Sequence, residues 1–185
     1  MPNLADHQID AALARVSPGL ETYRWIQDRA RRCDVSTDAT FQRRFKGFYK
    51  VRRAATWCRP YLRLLEDAKT VPIPFAEALG ALHEKTGRLE ASFSSKLVHT
   101  VDPTLPVLDR FVLRNMGLRL PHAYARQRER RLDELYAELC ARYRALEASD
   151  LGHRIRARFD ETFPDSGVTE LKKIDLVLWQ HRSPP

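Results

Sequence analysis

Along this chain apolar side chains recur at three- and four-residue intervals and show no sustained alternation with polar ones, and that periodicity confines it to helices. Leu132, Leu135, Leu139, Tyr143 and Leu146 give the longest example, with Tyr136 beside them and arginines and glutamates on the opposite face. Only 7 glycines occur in 185 residues, and no Asn-Gly or Asp-Gly pair marks a hairpin. The expected fold is all-α. A hydrophobic fraction of 43% is enough to build the core of one compact multi-helix domain, or of two small lobes.

Capping residues divide the pattern into elements. Ser17-Pro18 has the form of an N-cap followed by a first helical residue, opening a helix through Tyr23, Trp25 and Ile26 to near Cys33. Phe41, Phe45, Phe48 and Tyr49 share one face of the next. A third covers Ala54 to Ala68, with Pro60 marking a kink or boundary. After the break at Thr70 to Pro74, a helix runs from Phe75 to Lys85 and ends at Gly87. Two short helices, Ser92 to Val101 and Leu108 to Met116, flank the linker Asp102-Pro103-Thr104-Leu105-Pro106. The longest helix is expected from Ala123 to Ala148, then one capped by Ser149 over Asp150 to Phe163, then Thr169 to Gln180 with Leu171, Ile174, Leu178 and Trp179 inward. Asp175 and Trp179 read as the clamp that docks this last helix, and the final Ser-Pro-Pro as frayed.

Charge is unevenly spread. The chain carries a formal +8, and between Arg24 and Arg63 twelve basic residues face only Asp28, Asp34 and Asp38. Arg43, Arg44, Lys46, Lys50, Arg52 and Arg53, interleaved with Phe48, Tyr49, Trp57 and Tyr61, suit phosphates and unstacked bases, so DNA is the expected partner, with RNA open. The other reading of the same residues is a solvated arginine face over a core of aromatics. Arg126, Arg128, Arg130 and Arg131 form a second cluster, expected to pair with nearby glutamates at the surface.

Several classes are disfavoured. Cys33, Cys58 and Cys140 are far apart with no CxxC pair, which fits reduced cytoplasmic thiols and suggests neither zinc nor another metal. No leader pattern appears, and no run approaches the ~20 apolar residues of a membrane span. Gly-x-Ser-x-Gly, phosphate-loop Gly-Lys-Ser/Thr and His-Glu-x-x-His motifs are missing.

One segment holds chemistry-bearing residues at suggestive spacing. Lys96 lies early in a short helix, His99 follows on the same face, and Asp109 comes thirteen positions after Lys96 at the start of the next helix. Asp109 also reads as a plain N-cap, or as the ion-pair partner that lets a lysine be buried, and His99 as a packing histidine among the linker prolines. Lys96 with Pro106-Val107-Leu108-Asp109 resembles the core of helix-hairpin-helix DNA glycosylases. Ser92 to Leu118, with Leu171 to Trp179, is similar to a group of short bacterial proteins related to that fold. The similarity covers about a quarter of the chain.

That resemblance implies a helical fold with a cleft, a central core over 74–118 being flanked by lobes from 1–70 and 121–185. It implies Lys96 as an amine nucleophile at a deoxyribose carbon, with Asp109 supporting charge and proton transfer and His99 nearby, and no cofactor. Base extrusion then calls for an aromatic platform, for which Trp57, Tyr61 and Phe93 are the candidates. In place of the family's Gly-x-Gly turn stands Glu90-Ala91-Ser92-Phe93-Ser94-Ser95, so Ser94 and Ser95 hydroxyls become the expected phosphate donors.

Overall fold

The computed structural model describes Pro2 to Arg182, and among those residues it contains nine helices and no strand. The Ser183-Pro184-Pro185 end lies outside the described residues. The helices are α1 (Asp6–Arg32), α2 (Ala39–Phe48), α3 (Ala55–Thr70), α4 (Phe75–Thr86), α5 (Ala91–Val101), α6 (Arg110–Asn115), α7 (Arg128–Glu147), α8 (Asp150–Thr162) and α9 (Glu170–Gln180). None is long and apolar enough to cross a membrane. Two compact units result: residues 18–102 form one, and residues up to Ser17 together with those from Pro103 onward form the other. The stretch 74–118 is thus shared between the units at Asp102/Pro103.

Two expected helix starts are displaced. The first helix begins at Asp6, and Pro18 lies inside it. An interior proline costs about 3 kcal/mol. Ile9, Leu13, Val16, Leu20 and Tyr23 nevertheless form one buried stripe on both sides of Pro18, and burying that stripe outweighs the missing backbone donor. The seventh helix begins at Arg128, later than its periodicity suggested. Ala125 N bonds His122 O at 3.0 Å in a turn, and Gln127 takes a left-handed φ of 53° at the N-cap, so Ala123 to Gln127 stay outside the helix.

In the 18–102 unit, α5 packs against α3 and α4. Asp38 caps α2 by accepting from Phe41 N at 2.7 Å, and Phe41, Phe45 and Tyr49 are buried as their spacing predicts. Glu66 and Lys69 of α3 hold the loop after α1, with Val35 N donating to Glu66 at 2.8 Å and Lys69 Nζ to Cys33 O at 2.7 Å.

In the other unit, α9 is the central element: every residue from Leu171 to Leu178 is buried, and α6, α7 and α8 pack on it. Arg154 and Arg158 of α8 bind Asp6 and Asp10 at 2.6–2.9 Å. The corner from α7 to α8 is tight. Ser149 Oγ accepts from Gly152 N at 3.2 Å, and a Cβ on Gly152 would come within 2.0 Å of Leu146 O, so only glycine fits there.

Candidate functional site

Helix α5 carries Lys96 into the interior of its unit. Residues Ser94 to Thr100 are all buried, and Lys96 retains 9% of its accessible surface. Its Nζ donates to Ser92 Oγ at 3.0 Å, one turn back, and lies 4.8 Å from the Phe93 ring centre and 5.7 Å from that of Tyr49. The faces of these rings attract a cation while shielding it from water. Phe93 in turn meets Trp57 at 4.8 Å, and Trp57 stacks on Tyr61 at 5.1 Å. Arg53 stands 6.0 Å from the Trp57 ring and 5.7 Å from Phe93, and pairs with Glu90 at 2.8 Å.

The expected aromatic platform is largely enclosed. Tyr61 is 1% exposed, donates to Phe93 O at 3.2 Å, and has Phe45, Trp57 and Phe93 packed around it. Burial pushes its phenol well above the ordinary tyrosine range, with nearby Tyr49 and Cys58 adding to the shift. Trp57 is buried too, and its Nε1 has no hydrogen-bond partner among the described residues. Phe93 is half-buried. The serines also differ from expectation. Ser94 Oγ donates to Glu90 O at 3.1 Å and Ser95 Oγ to Ser92 O at 3.0 Å, both inside the helix and both fully buried, so neither hydroxyl is presented to a phosphate.

His99 is completely buried, with Nε2 3.0 Å from Tyr23 Oη and the two rings 5.7 Å apart. This is the geometry of a hydrogen-bonded core histidine. Asp109 is half-buried and caps α6, accepting from Phe111 N at 2.8 Å. Lys96 belongs to the 18–102 unit and Asp109 to the other.

The basic residues separate by what they already hold. Arg43 and Arg44 project from α2 into solvent, Lys50 follows at a left-handed φ of 54°, and Arg52 is exposed in the connection to α3. Lys46 is half-buried. Arg44 also covers the Trp25 ring at 4.2 Å. Arg29 is committed to Asp38, with its Nε 2.8 Å from the carboxylate. The Phe41 amide and Arg29 together hold the Asp38 carboxyl below its usual value. The 18–102 unit carries sixteen Lys and Arg against ten Asp and Glu, so most of the chain's positive surplus sits there.

Sequence reasoning missed two features. The first is a buried polar network on α9: Tyr143 Oη donates to Asp175 Oδ1 at 2.7 Å and Lys172 Nζ to Asp175 Oδ2 at 2.7 Å. Burial, then the Asp175 charge, drives the Tyr143 phenol well above its ordinary range. Asp175 was legible as a docking residue, but the Tyr143 hydroxyl looked like one more apolar position of a stripe. The second is Tyr124, 90% exposed in the connection from α6 to α7. The signal was present: the positions three and four after Tyr124 are Gln127 and Arg128, so no apolar stripe continues beyond it, and it sits in an arginine-rich segment. No metal-holding group of His, Cys, Asp or Glu occurs among the described residues. No protein-family model, curated protein or solved structure matches this chain.

Proposed function

We propose that this chain is a DNA-binding protein whose 18–102 unit carries the phosphate-contacting surface. One observation supports it above the others: Arg43, Arg44, Lys50 and Arg52 are exposed and form no ion pair among the described residues. Uncompensated cations on neighbouring turns repel one another, and a polyanion removes that cost while releasing its own counterions. The test is fluorescence anisotropy of a labelled duplex at several salt concentrations, comparing wild type with Arg43→Ala/Arg44→Ala/Lys50→Ala/Arg52→Ala. Each phosphate contact contributes about −0.9 to the slope of log affinity against log salt, so the variant slope is expected to be shallower by about 3 to 4. An unchanged slope overturns the assignment. The same series on single-stranded RNA distinguishes the nucleic acids.

The enclosure of Lys96 favours a sharper reading, a DNA glycosylase or abasic-site lyase, in keeping with the helix-hairpin-helix resemblance. Nucleophilic attack needs a neutral amine, and removal from water is a physical route to one. In that reaction the Lys96 amine bonds to C1′ of deoxyribose as the bond from C1′ to the base breaks, and the base leaves with a proton. Sugar-ring opening gives a Schiff base, and loss of a C2′ proton then expels the 3′ phosphate. At an abasic sugar the amine adds to the aldehyde and water departs. Borohydride reduces the Schiff base to a stable amine, so wild type is expected to form a covalent complex with abasic-site DNA and Lys96→Gln to form none, with the fold checked by circular dichroism. Failure of the wild type to be trapped removes this chemistry and leaves the binding assignment intact.

A further inference from the structure

Between α6 and the first turn of α7, residues 110–131 contain seven arginines and one acid, Glu129. Among these arginines, Arg130 pairs with Glu134 at 3.2 Å, and both partners are exposed. Arg119, Arg126 and Arg131 are exposed and form no ion pair among the described residues. Arg128 is half-buried, and its Nε has no hydrogen-bond partner among them. The expectation of a face neutralised by salt bridges therefore describes only part of this cluster.

The same segment displays apolar surface. Tyr124 is 90% exposed and Leu120 50%. Leu120 borders a groove of about 380 Å³ that Arg110, Leu113, Arg114, Leu118 and Arg119 also line. The connection is held in place from several points. Leu118 N bonds Leu113 O at 2.8 Å, Arg142 of α7 grips Met116 O, and Tyr124 N reaches His122 Nδ1 at 3.3 Å. The His122 and Tyr124 rings lie 5.6 Å apart, tilted by 46°. Tyr124 is thus a ring displayed on a hydrogen-bonded turn, with guanidinium groups before and after it in the chain.

A solvent-facing ring among unpaired arginines has the complementarity of a single nucleic-acid strand: an aromatic face for an unstacked base and cations for the flanking phosphates. A duplex keeps its bases stacked and offers Tyr124 no such face. We infer that residues 110–131 form a single-strand contact in which Tyr124 stacks on an unpaired base and Arg119, Arg126 and Arg131 hold adjacent phosphates. The inference rests on the nucleic-acid-binding assignment above and adds to it a surface on the other unit and a preference for unpaired strand.

The full chain tests it by anisotropy with a labelled twelve-nucleotide oligothymidine and a blunt duplex of the same length at low salt. Base stacking on one side chain corresponds to about fivefold or more in affinity, so Tyr124→Ala is expected to weaken oligothymidine binding by at least that factor, with Tyr124→Phe close to wild type. The duplex is expected to change less than about twofold with Tyr124→Ala, because its bases remain stacked. Arg119→Ala/Arg126→Ala/Arg131→Ala is expected to flatten the salt dependence for oligothymidine. Because Tyr124 is so exposed, its removal leaves the interior packing untouched. Unchanged oligothymidine affinity in Tyr124→Ala overturns the inference, and if the Arg43/Arg44/Lys50/Arg52 variant still loses binding, the DNA-binding assignment survives without it. No binding of either oligonucleotide by wild type overturns both. Tyr124-dependent binding to polyglutamate with none to oligothymidine also overturns it, by assigning the surface to an acidic polypeptide.

Discussion

Replacing Asp175 is the most direct probe of what holds α9 in place. The side chains of Lys172 and Asp175 are each 4% exposed and 2.7 Å apart, and Tyr143, with no exposed surface, bonds the other carboxylate oxygen at 2.7 Å. Asp175→Ala takes away the acceptor of both. Removing one partner of a buried ion pair costs about 3–5 kcal/mol. In a chain of this length each kcal/mol lowers Tm by about 2–4 °C, so the expected drop is roughly 6–20 °C. Tyr143→Phe keeps the ring volume and the ion pair while losing one charge-assisted hydrogen bond, and is expected to cost about 1.5–3 kcal/mol. The informative control is Lys172→Met/Asp175→Leu, which removes both charges and refills the space; such replacements are neutral or stabilising by about 1–4 kcal/mol relative to an ion pair, a gain offset here by about 1–3 kcal/mol for the buried Tyr143 hydroxyl left without its acceptor. Urea unfolding followed by circular dichroism and by tryptophan fluorescence measures these values and tests whether the transition is two-state. The reasoning is refuted if Asp175→Ala lies within about 1 kcal/mol of wild type, or if the double variant is no more stable than Asp175→Ala.

Other substitutions test the remaining structure. Gly152→Ala places a Cβ within 2.0 Å of Leu146 O, and the forced opening of the α7–α8 corner is expected to cost more than about 2 kcal/mol by urea denaturation. Asp109→Ala removes the acceptor for Phe111 N and is expected to cost about 1 kcal/mol, while Asp109→Asn, also an effective cap, costs less. Asp6, bound to Arg158 and Arg154, and Asp38, bound to the Phe41 amide and Arg29, both have lowered carboxyl pKa values. Their contribution is complete above the unfolded value near 4 and disappears as pH falls through the lower folded values. Tm is accordingly expected to decline below about pH 4, with a shallower decline in Asp6→Asn/Asp38→Asn.

Local rules located most of the helices and little of the site. Gly87, Asp109, Ser149 and Thr169 stand at the helix ends that their capping chemistry marks, because a cap is settled within one turn of backbone. Pro18 misled for the complementary reason: a residue typical of a helix start lies inside α1, where burial of a long stripe outweighs a local preference. The aromatic candidates show the same division. Trp57, Tyr61 and Phe93 combined the right residue types with nearby arginines, yet their rings pack on one another, while Tyr124 stands in solvent.

The sequence by itself determined an all-helical chain, most of its helix ends, the stripes that fill its core and the run of positive charge from Arg24 to Arg63, since periodicity, capping and composition act over a few residues. Tertiary structure decided which of those charges remain unpaired, that Lys96 sits among rings with its helix's serines turned inward, and that Tyr143, Lys172 and Asp175 meet. Pairing and desolvation depend on neighbours brought together from distant parts of the chain, and three-dimensional packing alone selects them.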